Sequence, residues 1–145
     1  LAFNYFLSKK LFDKELYKVR IFFRNVCIET TGIVDTGNNL KEGISGRPVV
    51  VGELSALAPL FTYEELMFLK KGDYDCTPES LKTKLRLVPC KSIGGESLLP
   101  CVIPEKIELL INNKKTIAEF VALALSNGNL SDGEYKVLLH SEIVG

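Results

Sequence analysis

Short apolar runs, broken at close intervals by glycine and asparagine, constrain this chain more than any other feature. Residues 16 to 23 (LYKVRIFF) put Lys18 and Arg20 on one face and Tyr17, Val19 and Ile21 on the other, the period of a half-buried strand. Asn25 marks a turn, Val26 to Thr31 returns, and Gly32 interrupts the run before Ile33-Val34-Asp35. Arg47 to Val51 reads as a further strand, with its proline near the start where no ladder hydrogen bond is lost. Residues 87 to 103 read as a hairpin with a glycine-tipped break at Ser92 to Ser97. Ile107 to Ile111 and Thr116 to Leu125 form a second hairpin about Asn112-Asn113, and Tyr135 to Leu139 a last strand. One helix is signalled by a capping box. Thr62 precedes Glu65 by three residues, Phe61 and Leu66 occupy the staple positions, and Lys70-Lys71-Gly72 closes the segment. The polar stretch Asp73 to Thr83 adds at most one short helix after Pro78. The expectation is a mostly β domain closed into a barrel, with one or two short helices.

One strand ends in Asp35-Thr36-Gly37. A strand that delivers an aspartate into a tight Thr-Gly turn is how aspartic peptidases build half of a catalytic site. An ordinary turn, with Asp capping its own backbone, uses the same three residues. The peptidase reading makes Asp35 catalytic, with Thr36 and Gly37 shaping its loop. It needs a second carboxylate, and the tripeptide occurs once, so two copies of the chain must share one site. Asp73, Asp75 and Asp132 lie in polar stretches and read as solvated loop residues. Ser92, Ser97 and Ser126 have no histidine and acid arranged to make a nucleophile of any of them. His140, the single histidine, reads as a local cap.

Composition narrows the remaining classes. The 145 residues carry 18 basic and 18 acidic side chains, and a neutral domain offers nucleic acid no electrostatic footing. Cys27, Cys76, Cys90 and Cys101 contain no Cys-x-x-Cys pair, so neither a zinc site nor any other metal or cofactor is implied. Reduced, partly buried thiols are expected. The chain begins without methionine and reads as a fragment or a processed product. Leu1 to Leu7 is mostly apolar and runs into Ser8-Lys9-Lys10. That order fits the cytoplasmic exit of a membrane helix, and equally an amphipathic lead-in packed on the domain. Residues 1–15 are accordingly set apart from a domain at 16–145.

Four separated motifs then occur in order: Asp35-Thr36-Gly37-Asn38, Gly46-Arg47-Pro48-Val49, Val88 to Gly95, and Leu138-Leu139-His140. Over roughly residues 16 to 145 the series resembles the cytoplasmic domain of the sporulation sigma-E factor processing peptidases. The resemblance implies a retropepsin-like aspartic endopeptidase that removes the pro-sequence of pro-sigma-E as a homodimer. Ser92, Ile93, Gly94 and Gly95 would form a flap over the substrate. It further implies attachment to the cell membrane through a preceding region, with the peptidase on the mother-cell cytoplasmic side. A signalling protein from the forespore would activate it. Two departures from retroviral enzymes stand out. Asn38 replaces their usual small residue, and only five residues follow His140, which leaves dimer contact to the N-terminal segment or makes it weak. The rival readings are a non-catalytic retropepsin-like binding module, and an unrelated β-barrel interaction domain with a chance Asp-Thr-Gly.

Overall fold

The computed structural model describes residues 15–92 and 95–144; Leu1 to Lys10 and the hairpin-tip residues Ile93 and Gly94 lie outside them. Among the described residues nine strands form one sheet: β1 (Tyr17–Phe23), β2 (Val26–Asp35), β3 (Val49–Glu53), β4 (Arg86–Ser92), β5 (Gly95–Val102), β6 (Lys106–Ile111), β7 (Lys114–Ala118), β8 (Ala122–Ser126) and β9 (Val137–His140). Their order is β4-β5-β8-β3-β9-β2-β1-β6-β7. The central strands β3, β8 and β9 are buried along their whole length, and β3 pairs in parallel with β8, as β2 does with β9. Strands buried on both faces lose the apolar–polar alternation, which is why these read as plain apolar runs.

The two faces support two cores. Val50, Leu123, Leu125, Val137 and Leu139 join the larger one, together with Val19, Ile21 and the helical leucines. Their strand neighbours Ile33, Val49, Val51, Ala122, Ala124 and Leu138 join the smaller one, with Val88 and Cys101 of the β4–β5 hairpin. Alternation therefore places Asp35, two residues after Ile33, on the face of the smaller core. The base of the hairpin is rooted in that same core.

The sheet does not close into a barrel. β4 and β7 stand at its opposite ends, and each has a physical reason to stay there. Only the last three residues of β5 are fully buried, so most of the hairpin stands in solvent. β7 presents Lys114 and Lys115, charges that protect an edge strand from further pairing.

Three local expectations also change. Gly32 does not interrupt β2. A Cβ there would lie 3.0 Å from Val19 Cγ2 and 3.1 Å from the Val137 carbonyl, so the glycine permits close approach inside a continuous strand. Thr116 to Leu125 divides into β7 and β8. At the division Arg47 donates to the Glu119 carbonyl and stacks on Phe120, where the chain leaves the sheet edge for its centre. Three short α-helices are present among the described residues: α1 (Leu54–Leu57), α2 (Tyr63–Lys71) and α3 (Glu79–Lys82). α2 forms where the capping box lies, with both reciprocal bonds made and Gly72 at φ +77° closing it. α1 was not expected. Its Leu54-x-x-Leu57-x-x-Leu60 spacing, all three buried, was the available signal.

Candidate active site

Asp35 ends β2 opposite His140 in the parallel β2–β9 ladder. The residue is 4% exposed. Oδ1 accepts the Gly37 N–H at 2.9 Å, and the Asp35 carbonyl accepts the Asn38 N–H at 3.0 Å, so one residue caps the turn twice. Oδ2 takes no hydrogen bond from the described residues. Thr36 and Gly37 lie exposed on the rim.

Asn38 fixes the floor. Its buried amide donates to the Val49 carbonyl at 2.8 Å and accepts the Leu40 N–H at 3.0 Å, while Val49 N–H returns a bond to the Leu40 carbonyl. A small residue in its place would remove the side-chain tie to β3 and leave the backbone bond between Val49 and Leu40.

Two further side chains border Asp35. Tyr135, buried just before β9, has its phenol pushed up to about 12, first by burial and then by the charges of Asp35, Glu134 and Glu53. The sequence places Tyr135 in the last strand and gives it no site role, because only the β2–β9 pairing brings it near Asp35. His140 is 1% exposed, and its Nδ1 accepts the Glu142 N–H at 3.1 Å, the local capping role expected of it. Burial lowers its pKa, opposed by the Glu142 carboxylate and assisted by Lys41. His140 Nε2 makes no hydrogen bond among the described residues. Glu142 pairs with Lys41 at 2.7 Å, tying the chain after β9 to the loop beyond the Asp35 turn.

The carboxylates sort themselves by their partners. Buried Glu65 takes four hydrogen bonds, two from Arg24 and one each from Thr62 and Ser80. Buried Glu42 takes three, from the backbone of Ile44 and Ser45 and from the Ser45 hydroxyl. Glu53 has Leu130 N–H and Lys136, and Glu108 has Lys106, Lys115 and Arg20. Among the described residues Asp35 has the Gly37 N–H alone. Asp73, Asp75 and Asp132 are exposed, as the sequence suggests.

The hairpin stands on the same side of the sheet. β4 and β5 pair from Arg86↔Cys101 up to Ser92↔Gly95, and Gly95 sits at φ +116°, a region that favours glycine. Ser92 belongs to β4 and Gly95 to Ser97 belong to β5, so the break expected over Ser92 to Ser97 does not include those four residues. Cys27, Cys76, Cys90 and Cys101 are all free thiols, and burial pushes Cys101 up to about 12.

The chain resembles known proteins along most of its length. It is 24% identical over 145 residues to the sporulation sigma-E factor-processing peptidase of Bacillus subtilis (strain 168), covering 94% of this chain and 47% of that protein. It is 27% identical over 143 residues to a Bacillus thuringiensis subsp. kurstaki protein named "Putative sporulation sigma factor-processing peptidase", covering 93% of this chain and 88% of that one. A sporulation sigma-E factor-processing peptidase of Priestia megaterium is 24% identical over 146 residues, 94% of this chain and 46% of its own length. The chain thus spans about half the length of two of these three curated relatives. The family model described as sporulation factor SpoIIGA matches residues 1–143, and the chain belongs to that family.

Proposed function

We propose that this domain is an aspartic endopeptidase of retropepsin-like design that processes a sporulation sigma factor, and that two chains share one site. The observation that carries this reading is the poverty of Asp35's surroundings. A buried carboxylate costs free energy unless donors compensate it, and the other four buried acids are well supplied. Asp35 keeps one oxygen for the turn and leaves the other for chemistry. The names of the relatives supply the substrate class.

In this reading two Asp35 carboxyls face each other across a two-fold axis. Like charges in contact cannot both ionise cheaply, so the pair holds a single proton. The ionised member takes a proton from a water between them as its oxygen attacks the scissile carbonyl. The protonated member donates a hydrogen bond to the carbonyl oxygen as that oxygen gains charge. Collapse of the tetrahedral species returns a proton to the leaving amine. Gly37 N–H holds the carboxylate in register, and exposed Thr36 is placed to reach the partner's turn. The β4–β5 hairpin, with Ser92, Ile93, Gly94 and Gly95 at its end, closes over an extended substrate and excludes water. Pro-sigma-E is the substrate this reading selects. A membrane attachment ahead of the domain, a mother-cell cytoplasmic location and a forespore-derived activating protein complete it, all three resting on the sequence resemblance.

Asp35→Ala in the full-length protein, produced together with the pro-sigma factor, tests it directly. Processing should fall by roughly a thousandfold or more while the protein accumulates normally. Continued appearance of the shortened sigma factor overturns the assignment.

A further inference from the structure

The loop after the Asp35 turn and the start of β4 face each other across a surface trough. Two cavities of about 460 and 440 Å³ compose it, and both are lined by Ile44, Thr83 and Arg86. One continues past Arg47 and Ile103. The other runs past Leu87 and Pro89, along the strand that leads to the hairpin tip. Ile44 is 81% exposed, an aliphatic side chain in open solvent at the point where the cavities meet.

Most charges around the trough are already spent. Arg24 is held by Glu65, and Arg47 by the Glu119 carbonyl. Glu42 is filled by Ile44 and Ser45, and Glu105 accepts the Asn25 N–H. The side chains of half-buried Arg86 and its exposed neighbour Lys84 make no hydrogen bond or ion pair among the described residues, although the Arg86 charge helps to lower the pKa of buried Glu42. A guanidinium partly withdrawn from water, with all its donors unused, is costly until an acceptor arrives.

We propose that this trough binds an extended peptide segment, in which Arg86 pairs with an acidic side chain while Ile44 packs against an adjacent aliphatic one. Lining both cavities, Arg86 has room on either side, so the chain passes through and presents a side-chain carboxylate instead of its terminus. The trough is bordered by the loop that follows Asp35 and by a strand of the hairpin. Resting on the peptidase reading, the segment is a part of the substrate lying beyond the scissile bond.

The test uses full-length Asp35→Asn protein and short, end-blocked fluorescent peptides containing Leu-Glu or Leu-Gln, plus a Leu-Gln peptide with a free carboxyl terminus. The Leu-Glu peptide should bind about tenfold more tightly than its Leu-Gln counterpart. Arg86→Gln should erase that difference without weakening the Leu-Gln peptide, Arg86→Lys should keep part of it, and Ile44→Ser should weaken both. Unfolding curves identify any variant that fails to fold, and Arg86→Lys with Ile44→Ser then decide. Equal binding of both end-blocked peptides, a preference that survives Arg86→Gln, or a preference for the free terminus overturns the proposal. Binding is read without cleavage, so this result stands or falls separately from the Asp35→Ala experiment.

Discussion

Asp35 and Glu65 are both buried acids, yet the fold treats them differently. Glu65 is wrapped in donors and anchors a helix, whereas Asp35 receives one N–H. An acid that the fold supplies with few donors contributes little as an anchor, and such groups concentrate where a protein works. A stability measurement separates the two roles. Asp35→Asn keeps an oxygen for the Gly37 N–H and removes the charge, so thermal stability should hold or rise by about 1 kcal/mol. Glu65→Gln strands Arg24 and should lower stability by about 3 kcal/mol. A large loss of stability in Asp35→Asn, measured by thermal unfolding, would make Asp35 a structural residue like the other buried acids.

Helix α2 joins its cap to the body of the domain through the same Glu65. The side chain closes the capping box on Thr62 and also receives Arg24, whose guanidinium stacks on Phe23 and Phe61. The Arg24 hydrogen bonds, with help from Ser80 and Thr62, hold its carboxyl at about 2 against an ordinary 4.5, overcoming burial. A depressed carboxyl contributes its stability in full above the unfolded value and loses it as pH falls through the folded one. The stability gap between wild type and Glu65→Gln should therefore be constant above about pH 5 and shrink between pH 4.5 and 2. A gap unchanged at pH 2.5 would show that the carboxylate's charge contributes nothing to the anchor. Elements like α2 were legible because their signals are local: the cap, the staple and the closing glycine lie within a dozen residues. The split of Thr116 to Leu125 and the open sheet were not, because both depend on strands far apart in sequence finding each other. Gly32 misled for the same reason, since the Val19 and Val137 atoms that require it arrive from other strands. In the site, Asp35 and its turn were legible from adjacent residues. The tie from Asn38 to Val49 and the approach of Tyr135 needed the fold.

At the scale of the molecule, an open sheet presents a single Asp-Thr-Gly turn at the end of a central strand, and one carboxylate cannot both activate water and protonate a carbonyl. In the proposed mechanism the second comes from another copy, and a two-fold arrangement would supply it in the equivalent position. The proposed attachment to a common membrane would raise the effective concentration of the chains, so that pairing weak in solution becomes complete in place. Shared sites have a distinctive arithmetic. When wild-type and Asp35→Ala chains are produced in equal amounts and pair at random, about a quarter of the dimers carry two aspartates. Processing should then fall to about a quarter of the level given by the same total amount of wild type. A site contained in one chain predicts a fall to half. Titrating the ratio separates the two, since the shared site follows the square of the wild-type fraction and the self-contained site follows it linearly. A linear response would leave the two-chain mechanism without support, while a squared one would place both Asp35 carboxylates in one catalytic centre.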